Sequence, residues 1–352
     1  MKREKIFTAI VMFLCFTTLP SAVFAQGGGQ NVSSIDRIGT TAAPFLKIGA
    51  GARPIAMGGA YAALADDILS VYWNPAGLAR IPGYGEAVFN HAEWLAETNY
   101  DFAAFSINMG SLGSFGFHVT SLSTPEQPVR TIANPDGTGQ VWDANMIAVG
   151  VTFARNLTDD FAIGFTGKFI QEKIFNQSAR GGAMDFGVLF RTPWRNLTLA
   201  ASIANFGSKM QLDGRDLFFN EDPSSISGGV SEVPAEFRTE KFELPLNLKF
   251  GIAWQVHKSE DVTILAIADG VQPNDNSEFV NSGIEVGLKN VIFLRGGYRG
   301  LLLKEFEENN RGATFGVGLR HDMPGANLKF DFGWADYGRL SSVKFVSFAI
   351  RY

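Results

Sequence analysis

The residue types that most often carry out chemistry in proteins are scattered along this chain. Asp66 and Asp67 are adjacent carboxylates that could act as an acid and a base, but a contact at a helix end or within a plug is the favoured interpretation. No Gly-x-Ser-x-Gly sequence is present, and no serine–histidine–aspartate set can be nominated. The histidines have no pair at metal-ligand spacing: His91, His118, His257 and His321. The sequence therefore predicts no enzyme, with no catalytic residue, no cofactor and no metal site.

Two further motifs are incomplete. The segment Gly49-Ala50-Gly51 begins like a dinucleotide-binding loop, but Pro54 stands where the third glycine should be. Asn274-Asp275-Asn276 with Glu278 could bind calcium, but the spacing differs from that of a twelve-residue calcium loop, so we interpret this segment as a solvated turn. The net charge of −5 gives no reason to expect a nucleic-acid partner.

The N-terminal segment has the pattern of a secretory signal peptide. Lys2, Arg3 and Lys5 precede an apolar core, and Val23-Phe24-Ala25 places small residues at the −3 and −1 positions of a cleavage site. The apolar core is too short to span a bilayer as an anchor helix. We therefore expect residues 1–25 to be removed and the mature chain to start near Gln26.

The composition and the periodicity of the rest of the chain change twice. Residues 26–39 are polar and glycine-rich, which predicts a flexible lead-in, and residues 40–83 combine small residues with short helical patterns. Residues 84–352 have a period of two, as in Leu248, Phe250, Ile252 and Trp254, which alternate with small or polar residues. Fourteen strands are predicted near 85–93, 99–109, 113–123, 144–154, 161–173, 182–191, 197–207, 245–256, 262–269, 280–288, 291–299, 312–320, 326–335 and 342–352. Their lengths and even number predict an all-β fold: an antiparallel transmembrane β-barrel of about fourteen strands.

The connections give an independent signal. Those after even-numbered strands are short, whereas several after odd-numbered strands are long, most clearly 124–143, 208–244, 270–279 and 300–311. Outer-membrane barrels have short periplasmic turns and longer extracellular loops. We therefore expect a bacterial outer-membrane location with both mature termini in the periplasm and 208–244 outside the cell.

The two faces of the predicted strands differ in chemistry. One carries Phe, Ile, Leu, Val and Trp, which suits lipid, and the other carries Gly, Ala, Ser and Thr with charges that a lumen tolerates. The predicted lumen charges are Lys168, Lys249, Glu285, Lys289, Arg295, Arg320 and Asp331. Phe348, Ile350 and Tyr352 share a face of the last strand, and we interpret this aromatic end as the membrane-insertion signal. A secreted β-sandwich is the alternative to a barrel.

The block 40–83 is the most distinctive part. A barrel of about fourteen strands is wide enough to need filling, and the small residues of this block suit a confined space, so we expect it to form a plug in the lumen. Its motifs occur in order as Gly39-Thr40-Thr41-Ala42-Ala43-Pro44-Phe45-Leu46-Lys47-Ile48-Gly49, Gly51-Ala52-Arg53, Met57-Gly58-Gly59-Ala60, Asp66-Asp67 and Tyr72-Trp73-Asn74-Pro75-Ala76-Gly77-Leu78.

This run resembles the PorV/PorQ family of outer-membrane proteins, which is related in fold to FadL-type transporters of hydrophobic compounds. The resemblance implies that Asn74, Pro75 and Ala76 anchor the plug to the wall. It also implies that Arg53 with Asp66 or Asp67 makes charged plug contacts, and that the family motif includes Gly58, Gly59 and Trp73. PorV is a component of type IX secretion that carries cargo to the cell surface.

Two functions follow as hypotheses. The first, preferred on the resemblance and the long loops, is a non-enzymatic accessory or shuttle of type IX secretion that binds secretion-system proteins or exported cargo through its extracellular loops. The alternative is a FadL-like transporter of small hydrophobic compounds across the outer membrane, since the chain is rich in phenylalanine and carries a plug. A mainly structural barrel is a third interpretation.

Overall fold

The structure is a computed structural model that describes residues 38–194, 196–221, 232–303 and 312–352. The predicted signal peptide 1–25 and the lead-in up to residue 37 lie outside the described residues. Among the described residues, no helix has both the length and the apolar character needed to cross a membrane.

Fourteen antiparallel strands form one closed sheet. They are β1 (Gly85–Glu93), β2 (Asn99–Asn108), β3 (Ser114–Ser123), β4 (Ala144–Asn156), β5 (Phe161–Ile174), β6 (Gln177–Arg191), β7 (Leu197–Gly207), β8 (Asn247–Lys258), β9 (Val262–Pro273), β10 (Phe279–Leu288), β11 (Ile292–Leu301), β12 (Ala313–Met323), β13 (Ala326–Asp336) and β14 (Ser342–Arg351). Each strand pairs with the next, and β14 pairs with β1 from Arg351 opposite Glu86 to Phe345 opposite Ala92. The predicted fourteen-stranded barrel is confirmed.

The strands alternate between buried and exposed residues along their length. Across the closing seam, Phe348 lies opposite Phe89 on one side and Phe330 on the other, and all three rings are exposed. Exposed Phe, Ile, Leu and Val side chains continue around the outer surface. The prediction of an apolar outer face is confirmed, and it is the band that suits lipid.

The two ends of the barrel differ. One end, here the short-turn end, has the connections 109–113, 157–160, 192–196, 259–261, 289–291 and 324–325. The opposite end, the long-loop end, has 124–143, 208–246 and 302–312, of which 222–231 and 304–311 lie outside the described residues. The expected long connection 270–279 shrinks to 274–278 because β9 continues to Pro273. Short two-stranded ribbons stiffen the two longest connections: Gln127–Pro128 with Val141–Trp142, Met210–Gln211 with Lys241–Phe242, and Phe218–Glu221 with Val233–Glu236.

The first described residues and the C-terminus lie at opposite ends. Tyr352 lies at the short-turn end, where its carbonyl accepts a hydrogen bond from the Tyr84 amide at 2.8 Å. Ala42 lies at the long-loop end, where its amide donates to the Glu243 carbonyl at 2.9 Å. The chain therefore runs through the barrel from one end to the other before β1 begins, and a shared end for the two mature termini stays a prediction. The predicted mature N-terminus at Gln26 lies outside the described residues.

The segment that runs through the barrel is the plug, residues 43–81. It contains two short helices, α1 (Ala52–Ala56) and α2 (Ser70–Trp73), and two 3-10 turns, Pro44–Lys47 and Pro75–Arg80. Glycines at positive φ interrupt the helical pattern, so the plug turns often and fills a compact space. Most plug residues are fully buried, and they form the core of the barrel interior.

Candidate functional site

The plug rests on pairs of glycines in the wall. Three pairs lie directly opposite each other on neighbouring strands: Gly164 with Gly187, Gly283 with Gly297, and Gly316 with Gly333. A Cβ at any of the six would lie within 2.9 Å of plug atoms. Because glycine has no side chain, each pair is a flat patch on which plug backbone lies directly against the strands.

The Asn-Pro-Ala turn occupies the first patch. A Cβ at Gly187 would lie 1.9 Å from Asn74 Oδ1, and a Cβ at Gly164 would lie 2.3 Å from the Pro75 carbonyl carbon. The side-chain Nδ2 of Asn74 donates to the carbonyl of Ala62 at 2.8 Å and to that of Val188 at 3.1 Å. Its Oδ1 accepts from the Ala76 amide at 3.2 Å. One asparagine thus joins two parts of the plug to β6.

The Met57-Gly58-Gly59-Ala60 turn occupies the second patch. Gly58 has φ of 71° and Gly59 of 74°, a region that favours glycine. A Cβ at Gly58 would lie 2.6 Å from the carbonyl oxygens of Ser282 and Tyr298. The Gly58 amide donates to Thr314 Oγ1 at 2.9 Å. The backbone conformation therefore favours glycine at both positions. At Gly58 there is also no room for a side chain.

Arg53 is the centre of a buried ionic network. Its Nε and Nη2 donate to the two oxygens of Glu285 on β10, at 2.8 and 2.9 Å. Its Nη1 donates to Asp66 Oδ1 at 2.6 Å, to Asp67 Oδ2 at 3.1 Å and to the Tyr61 hydroxyl at 3.0 Å. The family resemblance implied that Arg53 and Asp66 or Asp67 are charged plug contacts. The structure pairs Arg53 with both aspartates and with Glu285 in the wall.

The network continues along the wall. Arg295 Nε donates to Glu285 Oε2 at 2.6 Å, and Arg295 Nη1 donates to Asp331 Oδ1 at 2.6 Å. A separate cluster closes the seam, where Glu86 on β1 accepts from Lys329 on β13 at 2.6 Å and from Arg351 on β14 at 2.9 Å. Acidic and basic groups alternate throughout, so these buried charges are compensated.

Protonation in the plug follows from these contacts. Burial alone would raise the pKa of the Asp67 carboxyl, but Arg53 and then Lys329 outweigh burial and hold this pKa below its usual range. Burial would lower the pKa of Arg53, yet Asp66 and Glu285 hold it well above its usual value. Both groups are therefore charged at neutral pH.

Trp73 lies between the plug core and two cavities at the long-loop end. Its Nε1 donates to the Ala50 carbonyl at 2.8 Å, and the Lys249 ammonium lies 4.5 Å from its ring centroid. The larger cavity, of about 270 Å³, has the apolar lining residues Ile48, Ile55, Val271, Phe279 and Leu303. A smaller one of about 50 Å³ lies beside it, and both are lined by Lys47, Trp73, Asn247 and Lys249. A third cavity, of about 570 Å³, lies on the short-turn side between the plug and β6–β9.

Two sequence interpretations need correction. Asp275 is not a solvated turn residue, because it is buried and forms an ion pair with Lys47 and a hydrogen bond with Thr41 Oγ1 at 2.9 Å. Lys289 is not a lumen charge, since it lies exposed in a turn at the short-turn end, where its amide donates to the Asp261 carbonyl at 2.7 Å. Neither partner is near in sequence, so spacing carried no signal for either contact.

The remaining site residues lie on the last strand. Phe348 and Tyr352 are exposed on the outer face, and Ile350 is half-buried between them. The Tyr352 hydroxyl donates to the Ser106 carbonyl at 3.2 Å, which ties the end of the chain to β2. Among the described residues, no three His, Cys, Asp or Glu side chains are grouped so as to hold a metal ion.

The geometry can be compared with known proteins. Residues 20–165 match the family described as Uncharacterised protein family (UPF0164). No curated protein matches the chain. The chain is similar to the toluene transporter TodX of Pseudomonas putida, with a TM-score of 0.55 and 14% identity, over 86% of this chain and 97% of that one. The fold is FadL-like.

Two other solved structures agree. The toluene transporter TbuX of Ralstonia pickettii has a TM-score of 0.51 and 14% identity, over 86% of this chain and 97% of that one. A FadL homologue of Pseudomonas aeruginosa has a TM-score of 0.50 and 11% identity, over 85% and 97%. The expected relation to FadL-type barrels is confirmed, whereas membership of the PorV/PorQ family stays a prediction. At this level of identity the similarity is one of fold.

Proposed function

We propose that this protein is a non-enzymatic transporter that carries small hydrophobic compounds across the bacterial outer membrane. The observation that supports this proposal best is the open cavity of about 270 Å³ at the long-loop end, between the plug and the wall. Ligand sites are concave and combine apolar surface with polar groups. This cavity has both, because Lys47, Lys249, Asp275 and Arg299 line it together with the apolar residues. The similarity to two toluene transporters of the same fold supports it further.

The plug separates the two ends of the proposed route. The cavity at the long-loop end and the cavity at the short-turn end lie on opposite sides of plug residues 49–66. A ligand that crosses must therefore pass between the plug and the wall. At the glycine patches the plug backbone lies directly against the strand backbone. Hydrogen bonds of Arg53 and Asn74 hold the plug in this position.

Uptake of radiolabelled toluene by cells that make this protein tests the proposal. Val271→Trp fills the cavity from its lining, whereas Val317→Trp enlarges an exposed side chain on the outer face and serves as the matched control. We expect uptake above that of cells without the protein, severalfold lower in Val271→Trp, and unchanged in the control. Equal uptake with and without the protein would rule out the transport role.

The orientation belongs to the same proposal. We place the apolar outer face in the outer membrane, the short-turn end and Tyr352 in the periplasm, and the long loops outside the cell, as such barrels are built. The mature chain is predicted to have no cysteine, so single cysteines can be introduced cleanly. A membrane-impermeant maleimide should label Ser341→Cys in intact cells and leave Asn290→Cys unlabelled until the membrane is opened.

A second candidate function is supported by the long loops. The ribbon Phe218–Glu221 with Val233–Glu236 exposes Phe218, and the stacked rings of Phe219 and Phe237 lie 4.4 Å apart beside it. Exposed aromatic side chains are typical of protein-binding surfaces, which fits a secretion accessory that binds cargo or secretion-system proteins. Deletion of 213–239 should then abolish co-purification of a partner while toluene uptake persists. If the protein is a transporter only, no partner should co-purify even with the intact chain.

A further inference from the structure

Lys249 is a buried cation at the junction of the two cavities of the long-loop end. Its side chain extends from β8 toward the plug, the residue is 7% exposed, and it lines both cavities. Within the described part of the chain, its ammonium has no hydrogen bond and no ion pair, and it lies 4.5 Å from the centroid of the Trp73 ring. The neighbouring Lys168, in contrast, is paired with Asp185 at 2.8 Å.

Asp269 and Asp185 are the wall carboxylates that attract Lys249, but neither forms an ion pair with it, and Asp269 Oδ1 has no hydrogen-bond partner among the described residues. Asp269 Oδ2 accepts the backbone amides of Tyr61 and Ala62, at 2.8 and 2.9 Å. Asp185 accepts the Asn205 amide at 2.7 Å in addition to its contact with Lys168. A buried charge without its own counterion is costly, because desolvation is not repaid by a close opposite charge. An anion beside Lys249 would remove that cost.

Other polar groups in the small cavity also lack partners. His118 is 2% exposed, and its Nδ1 has no hydrogen-bond partner among the described residues. The Oδ1 of Asn247, two residues before Lys249 on β8, lacks one as well. Buried polar atoms without partners are uncommon in folded proteins. A bound carboxylate would accept a hydrogen bond from His118 in its Nδ1–H tautomer, but it has no hydrogen to donate to Asn247 Oδ1. His118 and Lys249 together line the cavity of about 50 Å³.

The adjoining cavity sets the size of the rest of the ligand. A buried apolar cavity of roughly 150 Å³ in another protein holds one benzene molecule. The volume of about 270 Å³ here, with Ile55, Val271 and Phe279 in its lining, therefore fits a single ring with a short substituent.

We propose that Lys249 is the specificity-determining residue of the transport site and binds the anionic group of a compact amphipathic acid, whose apolar ring occupies the larger cavity. This inference rests on the proposed function and narrows its substrate class from small hydrophobic compounds in general to small ring compounds that carry a carboxylate, with neutral rings such as toluene as weaker ligands. The charged group then lies between Lys249 and the small polar cavity with His118.

Calorimetric titration of the purified protein in detergent tests the inference with two probes of matched shape. 4-Ethylbenzoate carries a carboxylate, and 4-ethylbenzamide is its neutral counterpart. Wild-type protein should bind the carboxylate about tenfold tighter or more, which corresponds to about 1.4 kcal/mol. Lys249→Met should remove this preference, Lys249→Arg should retain it, and Lys258→Met, at the exposed end of the same strand, should leave it unchanged.

Each outcome separates the two proposals. If the carboxylate preference persists in Lys249→Met, or is absent from the wild type while the amide and toluene bind, this inference is wrong and the transporter proposal stands. If no probe binds and no toluene is taken up, the transporter proposal itself fails. Retained heat-modifiable migration on gels and a retained preference in Lys249→Arg show that the variants are folded.

Discussion

At the scale of single residues, the plug is held by a few buried polar groups whose partners are distant in sequence. Arg53 joins Asp66 and Asp67 of the plug to Glu285 of the wall, and Arg295 extends the network to Asp331. Removing one partner of a buried pair leaves the other charge uncompensated, which costs much more than the pair itself contributes. The same reasoning makes an unpaired Lys249 a candidate for ligand binding.

Replacement of Arg53 tests this network. Arg53→Met leaves Glu285 with Arg295 only, and we expect a loss of about 3–5 kcal/mol in the free energy of unfolding. Urea unfolding in lipid vesicles measures it. Arg215→Met is the matched control, because Arg215 pairs with Asp216 on the surface, where the expected change is at most about 1 kcal/mol. Equal effects of the two variants would contradict a structural role for the buried network.

At the scale of elements, the wall and the plug are matched by glycine pairs rather than by side chains. Asn74 and Pro75 lie on Gly164 and Gly187, and Met57-Gly58 lies on Gly283 and Gly297. Each pair combines two neighbouring strands, so the fit requires correct register as well as correct composition. Close contact between the plug backbone and the wall glycines therefore determines the position of the plug.

Two adjacent glycines of β11 provide a direct test. A Cβ at Gly297 would lie 2.3 Å from the Gly58 amide nitrogen, while a Cβ at Gly296 would meet nothing within 4 Å. We expect Gly297→Ala to displace the plug and to lower the free energy of unfolding by about 1–3 kcal/mol, as overpacking does, with Gly296→Ala close to neutral. Limited proteolysis of the plug together with urea unfolding would show this, and identical behaviour of the two variants would refute the close contact.

At the scale of the whole molecule, the barrel has the opposite arrangement of polar and apolar residues from that of a water-soluble protein. Charges such as Glu86, Glu285 and Asp331 lie inside, and phenylalanine rings cover the outside. In water this arrangement would expose a large apolar surface, whereas in a bilayer it places apolar groups against lipid and pairs the charges in the lumen. A surrounding bilayer, as the proposed location requires, would thus contribute to the stability of the fold.

A charge on the outer band tests this polarity. Phe330→Arg places a cation among Phe89 and Phe348, and we expect a loss of about 2–4 kcal/mol in stability if the position lies near the bilayer midplane. Leu340→Arg changes an exposed apolar side chain in the turn at the long-loop end and should have little effect. Vesicle-based unfolding measures both; a tolerated Phe330→Arg would mean that the band does not face lipid.

The sequence was sufficient for the architecture because strand periodicity is local. All fourteen strands were predicted, most within a few residues, since alternation over about ten residues is visible without any partner. The distinctive plug motifs were also visible, because their glycines and their Asn-Pro dipeptide are demanded by local conformation. Loop length was less reliable, as the extension of β9 to Pro273 shows.

The sequence by itself thus determined a closed barrel with an apolar outer face and a small-residue block that fills it. Only the tertiary structure decided which charges pair, that Asp275 is buried against Lys47, and that glycine pairs receive the plug. It also places Lys249 beside a cavity, where it has no ion pair with any described residue. The physical reason is that periodicity reports which face a side chain occupies, whereas pairing depends on register around the closed barrel and on the path of the plug within it.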